Sequence, residues 1–224
     1  MIAIMRAMAR IVYSDSVCMK TVETKPLYLL RKNPTQERSR ATVDAVLDAG
    51  ARLLLTIGYD KASTNRIAEK AGVSIGSLYE YFPGKEAIFA EIRRRQDKRY
   101  ARLIQAEPVP ATFRETLRLH VTTYIRLALS DIELHTALVR DVPKFATSEA
   151  ESILVADSLE HSTRIVDSRA IELRPQCDTA LALELTTRVL RSTIDDYALH
   201  APEQLKRSAV TDQLLEMLER YLLP

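Results

Sequence analysis

Ser63-Thr64-Asn65-Arg66-Ile67-Ala68-Glu69-Lys70-Ala71-Gly72-Val73-Ser74-Ile75-Gly76-Ser77-Leu78-Tyr79-Glu80-Tyr81-Phe82-Pro83-Gly84-Lys85 is the stretch whose reading decides the fold. Ser63 or Thr64 caps a first short helix, whose apolar residues Ile67, Ala68 and Ala71 share one face. Gly72 supplies the conformation that ends that helix, and Val73 drops into the space that follows. Ser74 caps a second helix, with Leu78 and Phe82 inward, which stops at Pro83-Gly84. Two short helices joined by a tight turn over residues 63–82 form a helix-turn-helix. In such a unit the second helix lies in the major groove and presents its N-terminal residues to base edges, while the first crosses the backbone.

Upstream, Val43, Val46, Leu47, Gly50, Leu53, Leu54 and Ile57 recur at steps of three and one, which predicts an amphipathic helix from Glu37 to Ile57. Gly58-Tyr59 closes it and Asp60-Lys61 forms the turn. Its stripe is expected to pack over Ile67, Ala71, Val73 and Leu78, giving a three-helix domain over residues 36–84. Downstream, a helix from Lys85 to about Gln105 carries Ile88, Phe89 and Ile92. Its basic run Arg93-Arg94-Arg95, followed by Lys98 and Arg99, reads most plainly as a solvated face. Glu107-Pro108-Val109-Pro110 then marks a break. Further helical segments are expected at about 111–129, 131–140, 148–174, 178–200 and 208–222, with starting caps at Ser130, Thr147 or Ser148, Asp178 and Ser208. The whole reads as an all-α chain: a helix-turn-helix domain followed by a helical domain over residues 85–224.

The spacing Ser-Thr-x-x-Ile-Ala-x-x-Ala-Gly-Val-Ser-x-Gly-x-Leu-Tyr-x-Tyr-Phe-x-x-Lys-Glu at Ser63 to Glu86 resembles the DNA-binding signature of the TetR/AcrR family of bacterial transcriptional repressors. The resemblance extends upstream through Arg38-Ser39-Arg40 and covers roughly residues 35 to 95. Leu54 stands where the family usually has phenylalanine, a smaller but still apolar side chain that changes packing rather than fold. Beyond residue 95 the resemblance is one of architecture. It implies a connecting helix whose angle sets the spacing of two recognition helices, an effector pocket enclosed by the later helices, and a homodimer built on the last two long ones.

Bulk properties agree with a globular helical protein. The chain has 224 residues, 46% of them hydrophobic, five glycines and no tryptophan, and no run approaches the roughly 20 apolar residues of a membrane span. The net charge of +2 is unevenly spread. Residues 31–85 hold nine Lys/Arg against six Asp/Glu, whereas residues 86–224 hold nineteen against twenty-two, so the basic excess sits where phosphates would lie. Cys18 and Cys177 lie far apart and outside any CxxC, which points to a reduced cytoplasm. His120, His135, His161 and His200 have no metal-ligand spacing, and no nucleophile-base motif or phosphate-cradling loop is present. Neither a metal site, a cofactor nor an enzyme is expected. Residues 1–35 read as a flexible tail, or as the product of a start codon assigned too far upstream. Arg31, Lys32, Arg38 and Arg40 form a candidate basic arm against the same DNA.

Each polar residue of the helix-turn-helix has two readings. Ser63 and Thr64 are helix caps, and their hydroxyls and neighbouring N–H groups also suit a phosphate. Asn65 and Arg66 are first-turn residues that the resemblance places against the groove edge or backbone, although Arg66 also suits a solvated surface. Gly76 permits close approach and Ser77 offers a short hydroxyl to a base edge, while Ile75 suits a thymine methyl. Glu80 either accepts from a cytosine amino group or points to solvent. Tyr79 and Tyr81 are similar to family residues whose hydroxyls bind phosphate, and Lys85 offers a point charge to one. In the later domain, His120, Tyr124, His135, Arg140 and Phe145 are a mixed set suited to lining an effector pocket or to ordinary structural roles. Leu183, Leu190, Ile194 and Tyr197, with Val210, Leu214, Met217, Leu218 and Tyr221, form two apolar stripes that core packing alone explains and that the family precedent assigns to a dimer interface. The expected function is a regulator of transcription, bound to double-stranded operator DNA as a homodimer and released by a small-molecule effector. The alternatives are an activator of the same kind, or a ligand-binding helical protein with residual DNA affinity.

Overall fold

The computed structural model describes residues 30–32, 34–108, 110–142, 174 and 178–224, and all regular structure among them is helical. The helices are α1 (Glu37–Lys61), α2 (Thr64–Ala71), α3 (Ile75–Tyr81), α4 (Lys85–Ala106), α5 (Phe113–Ser130), α6 (Ile132–Asp141), α7 (Thr179–His200), α8 (Pro202–Leu205) and α9 (Ser208–Leu222). Of the expected segment 148–174, only Arg174 is among the described residues. No helix described is long and apolar enough to cross a membrane.

Local chemistry accounts for most boundaries. Gly58, at φ 77° and ψ 168°, breaks the ladder of α1 at the expected place. Thr112 and Glu115 form a reciprocal capping box at the start of α5, a signal the sequence carried and the reading above passed over. Asp131, not Ser130, caps α6 by accepting from the Leu134 N–H, because Ser130 donates to the Leu127 carbonyl and closes α5 instead. Asp178 caps α7 as expected, accepting from the Leu181 N–H. Ser208 is already inside α9, and the preceding Arg207 makes no side-chain cap.

Two hydrophobic cores organise the described residues. The first gathers Val43, Val46, Leu47 and Leu54 of α1, Ile67 and Ala68 of α2, Leu78 and Tyr81 of α3, and Phe82. It runs past the boundary read at residues 84 and 85, because Ala87, Ile88, Phe89 and Ile92 of α4 and Ala137 and Leu138 of α6 pack into it. The three-helix head therefore borrows part of its core from the helices that follow, as a unit this small buries too little apolar surface by itself. The second core joins Phe113, Leu117, Val121 and Tyr124 of α5 to Leu183, Leu190 and Ile194 of α7 and to Leu214, Leu215, Leu218 and Leu222 of α9. Helix α4 packs on both α1 and α5, and α6 on both α1 and α7, so these two helices join the cores.

Candidate nucleic-acid interface and buried polar cluster

The turn between α2 and α3 is built as its residues dictate. The Ser63 hydroxyl accepts from the Arg66 N–H at 3.4 Å, and Gly72 ends α2 in the left-handed region at φ 68°, where a Cβ would be strained. The Val73 N–H then returns to the Ala68 carbonyl at 3.1 Å. The Ser74 hydroxyl caps α3 by accepting from the Ser77 N–H at 3.0 Å, and the two serine hydroxyls lie 2.8 Å apart. Leu78 is fully buried beneath the helix.

Above that anchor, the outer face of α3 is open. Ile75 and Tyr79 are among the exposed large apolar residues, at 39% and 40%. The Tyr79 hydroxyl lies 3.0 Å from the Thr64 hydroxyl, so the two helices present one polar pair on a common surface. Ser63, Asn65, Arg66 and Gly76 are exposed beside it. Arg66 is also tethered, donating to the Lys61 carbonyl at 3.1 Å. A Cβ built on Gly76 meets only the Ser74 hydroxyl, at 3.8 Å, an ordinary contact. The fold itself has room for a side chain there; what a bare backbone serves is approach from outside.

Two of the expected contacts take structural places instead. Tyr81 is 6% exposed and belongs to the head core, because the last turn of so short a helix rotates it inward beside Phe82. Lys85 donates to the Tyr59 carbonyl at 3.0 Å and lies 4.2 Å from the centre of the Tyr59 ring, so its ammonium ties α4 to the end of α1 rather than standing free for phosphate. The start of the described chain is likewise docked. Leu30 packs on the head core, the Arg31 N–H donates to the Tyr81 carbonyl at 2.8 Å, and its guanidinium reaches the Tyr79 carbonyl at 3.2 Å. Leu30 and Arg31, read above as part of a flexible tail, are therefore held against the head, since the last carbonyls of α3 need donors that its own turns cannot supply.

The basic run on α4 is solvated only in part: Arg95, Lys98 and Arg99 are exposed, whereas its first two arginines turn inward. Arg95 pairs with Asp44 of α1 at 2.7 Å, Arg94 pairs with Glu91, and Arg93 is buried. Around Arg93 lies a polar cluster drawn from four helices. Its guanidinium is 3.8 Å from the Asp195 carboxylate, 3.9 Å from Asp97, and donates to the Tyr124 hydroxyl at 3.4 Å. Asp195 Oδ1 accepts from the Tyr124 hydroxyl at 3.1 Å and is bonded to His135 Nε2 at 2.8 Å. Arg191 donates to Asp97 at 3.2 Å, and the Tyr100 hydroxyl is 2.6 Å from His120 Nδ1. Burial alone would raise the Asp195 carboxyl, but the His135 bond and the Arg93 and Arg191 charges hold it below the usual carboxylate range. Burial pushes the Tyr100 and Tyr124 phenols up, keeping both protonated donors.

Three of the five expected pocket residues, His120, Tyr124 and His135, therefore meet in one cluster. Arg140 does not join them: it is exposed on α6 and forks onto the neighbouring Asp141 at 2.6 and 2.8 Å. Phe145 lies outside the described residues. Arg93, Asp97, Tyr100, Arg191 and Asp195 were missed, although Arg93 with Asp97 and Arg191 with Asp195 are each four residues apart on a helix, the spacing of an ion pair.

The expected dimer residues divide in two. Leu183, Leu190, Ile194, Leu214 and Leu218 are buried within one chain, and Tyr197 and Val210 pack partly buried against the same core. Only Met217 and Tyr221 are exposed, at 49% and 42%. The outward apolar row of α7 is instead Leu181, Leu185 and Val189, offset from the expected one. Both rows step at helical spacing, so periodicity alone does not say which faces the chain's own core.

Residues 46–92 match the family model described as bacterial regulatory proteins, tetR family. An HTH-type transcriptional repressor of Mycobacterium tuberculosis is 31% identical over 72 residues, a match spanning 32% of this chain and only 38% of that protein. The fatty acid metabolism regulator protein of Bacillus subtilis is 21% identical over 180 residues, 77% of this chain and 91% of that one. Among solved structures, the fatty acid degradation regulator FadR from Bacillus halodurans superimposes with a TM-score of 0.64 at 20% identity, covering 84% of this chain and 96% of that chain. NalD, the secondary repressor of the MexAB-OprM multidrug efflux pump in Pseudomonas aeruginosa, gives 0.64 at 20% identity over 84% and 98%. Identity at that level speaks to the fold, while the helix-turn-helix carries the family signature itself. Its capped and glycine-ended turn and its open recognition helix lie within residues 46–92, so it is the head of this chain that matches the tetR family of bacterial regulatory proteins.

Proposed function

We propose that the protein is a homodimeric transcriptional repressor that binds operator DNA through two copies of the α2–α3 surface and leaves it when a small molecule enters the C-terminal helical domain. The observation that carries the DNA reading is the open face of α3. Gly76 is bare although the fold accommodates a Cβ, the Thr64 and Tyr79 hydroxyls stand side by side, and Ser63, Asn65 and Arg66 are exposed around them. Ser77 sits on the same turn, with its hydroxyl engaged by Ser74. The residues assigned to DNA are therefore Ser63, Thr64, Asn65, Arg66, Ile75, Gly76, Ser77 and Tyr79. The names of a mycobacterial relative and of NalD, both repressors, support repression over activation.

The homodimer reading rests on Leu181, Leu185 and Val189 of α7 and Met217 and Tyr221 of α9, apolar side chains at 37% exposure or more among the described residues. A two-fold pairing of these helices suits a near-palindromic operator. The effector would act on the cluster around Tyr124 and His135. By linkage, operator DNA then weakens effector binding by the factor by which effector weakens DNA binding.

The test is fluorescence anisotropy of the purified protein on DNA from upstream of its own gene, against scrambled DNA, across a salt series. Tight binding that prefers the upstream DNA and weakens with salt is expected. If DNA selected from a random library also shows no preference over scrambled sequence, the repressor reading is wrong.

A further inference from the structure

The cluster around Arg93 has an internal order. Helix α4 carries Arg93 and Asp97, and helix α7 carries Arg191 and Asp195, each an arginine followed four residues later by an aspartate. The two motifs pair crosswise: Arg93 faces Asp195 at 3.8 Å and Arg191 donates to Asp97 at 3.2 Å. Arg93 and Asp97 are 4% and 6% exposed. Arg191 and Asp195, at 18% side-chain exposure each, are partly buried beside them. Two guanidinium groups and two carboxylates balance in charge, but buried pairs rarely add stability over well-packed apolar side chains; their better-attested use is to specify register. Apolar ridges can slide by a fraction of a turn at small cost. A crosswise ion pair cannot, because the slip that separates Arg93 from Asp195 also separates Arg191 from Asp97.

Each of the two helices has a second task. Helix α4 begins in the head, with Ala87, Ile88 and Phe89 in the head core, so its direction sets where α3 points. Helix α7 carries Leu181, Leu185 and Val189, the apolar row assigned above to the partner copy. His135, on the shared Asp195 oxygen, belongs to α6, whose Ala137 and Leu138 also lie in the head core.

We propose that Arg93, Asp97, Arg191 and Asp195 are positioning residues for DNA recognition: their crosswise pairing locks α4 against α7 and so sets the separation of the two recognition helices. The inference rests on the homodimeric DNA-binding reading. Arg93 lies almost equally far from Asp195 and Asp97, at 3.8 and 3.9 Å, so a small rotation of α4 transfers it from the partner helix to its own. The lock is thus also the place where head spacing can be switched.

The experiment starts from operator DNA selected from a random library by the full-length wild-type protein, with the spacer between half-sites then lengthened and shortened by one and two base pairs. Each base pair turns one half-site by about 35° relative to the other. Wild type is expected to lose about tenfold in affinity per step, a typical coupling between sites. Asp195→Asn, which keeps the shape and removes the charge, is expected to flatten that preference to within about threefold. The fourfold change Arg93→Gln, Asp97→Asn, Arg191→Gln and Asp195→Asn removes both crosswise pairs, leaves no unpaired charge among the four and is expected to flatten it as well, even where the single variant folds poorly. Glu203→Gln, in an exposed pair with Lys206, serves as the control. A fourfold variant that is dimeric and helical yet keeps the wild-type spacing preference, whether or not it binds more weakly overall, overturns the proposal. A wild-type protein that is monomeric or selects no sequence overturns the underlying homodimeric reading, before any variant is made.

Discussion

The head and the body of this protein spend their polar residues in opposite ways. In the head the caps and hydroxyls of α2 and α3 lie at the surface, while the core below, from Val43 to Phe89, is apolar. In the body, two arginines and two aspartates are sunk between helices next to Tyr124 and His135. The head offers its hydrogen-bonding groups to something outside; the body uses its own to bind helix to helix. A surface that reads another molecule needs open donors and a rigid, dry support. An element whose angle must be both defined and changeable is served by directional contacts that exist in more than one arrangement.

The sharpest way to break this comparison is at the apolar rows of α7. Leu185→Glu changes an exposed position and is expected to leave a folded monomer whose operator affinity falls by two or more orders of magnitude, as the second half-site is lost. Leu190→Glu, on the buried row, is expected to unfold the body instead. Sedimentation with circular dichroism separates the two outcomes; a Leu185→Glu dimer of wild-type affinity would move the interface elsewhere.

Next in size is the charge lock. Removing one partner of a buried pair costs about 3–5 kcal/mol, so Asp195→Asn should lower unfolding stability by several kcal/mol in urea titrations. A cavity in the head core, Leu78→Ala, has a comparable cost of about 2–5 kcal/mol. The two variants differ in what remains: the Asp195 variant is expected to recover stability when Arg93→Gln is added, and Leu78→Ala has no such rescue.

Within the head, effects shift from stability to recognition. Gly76→Ala should leave the melting temperature unchanged, given the 3.8 Å clearance, and weaken operator binding about tenfold. Tyr79→Phe removes the hydroxyl beside Thr64 and should weaken binding by a few-fold, about 1 kcal/mol. Tyr81→Phe, in the core, should not change affinity in the same assay; if Tyr81 proves the more sensitive of the two, the assignment of α3's faces is wrong.

The smallest effect is with pH. The Tyr100 and Tyr124 phenols are raised by burial, so the folded chain keeps protons that the unfolded chain releases above the ordinary tyrosine value of about 10. The stability they contribute is complete below that value and is lost as pH rises beyond it. Urea midpoints at pH 8 and pH 10.5 should therefore diverge, and changing both tyrosines to phenylalanine should narrow the gap. Asp195 acts at the other end: its lowered carboxyl contributes stability above the usual carboxylate range, which is lost as acid protonates it.

Much of the head was legible because its signals are local. A serine cap, a glycine at positive φ and an apolar residue every third or fourth position each act within a few residues, and their order alone specifies two helices and a turn. Tyr81 and Lys85 were misplaced because both are amphipathic, and the choice between solvent and core depends on Phe82 and Tyr59, neighbours supplied by the packed fold.

In the body, the sequence by itself determined where helices run and that α7 and α9 each carry apolar residues at helical spacing. Which row turns inward was decided only when α5 packed against Leu183, Leu190 and Ile194. Tertiary structure alone also brought Arg93 to Asp195, residues far apart in the chain. A helix's period is written into its own residues, whereas the face it buries and the charge it meets are properties of the partner helix.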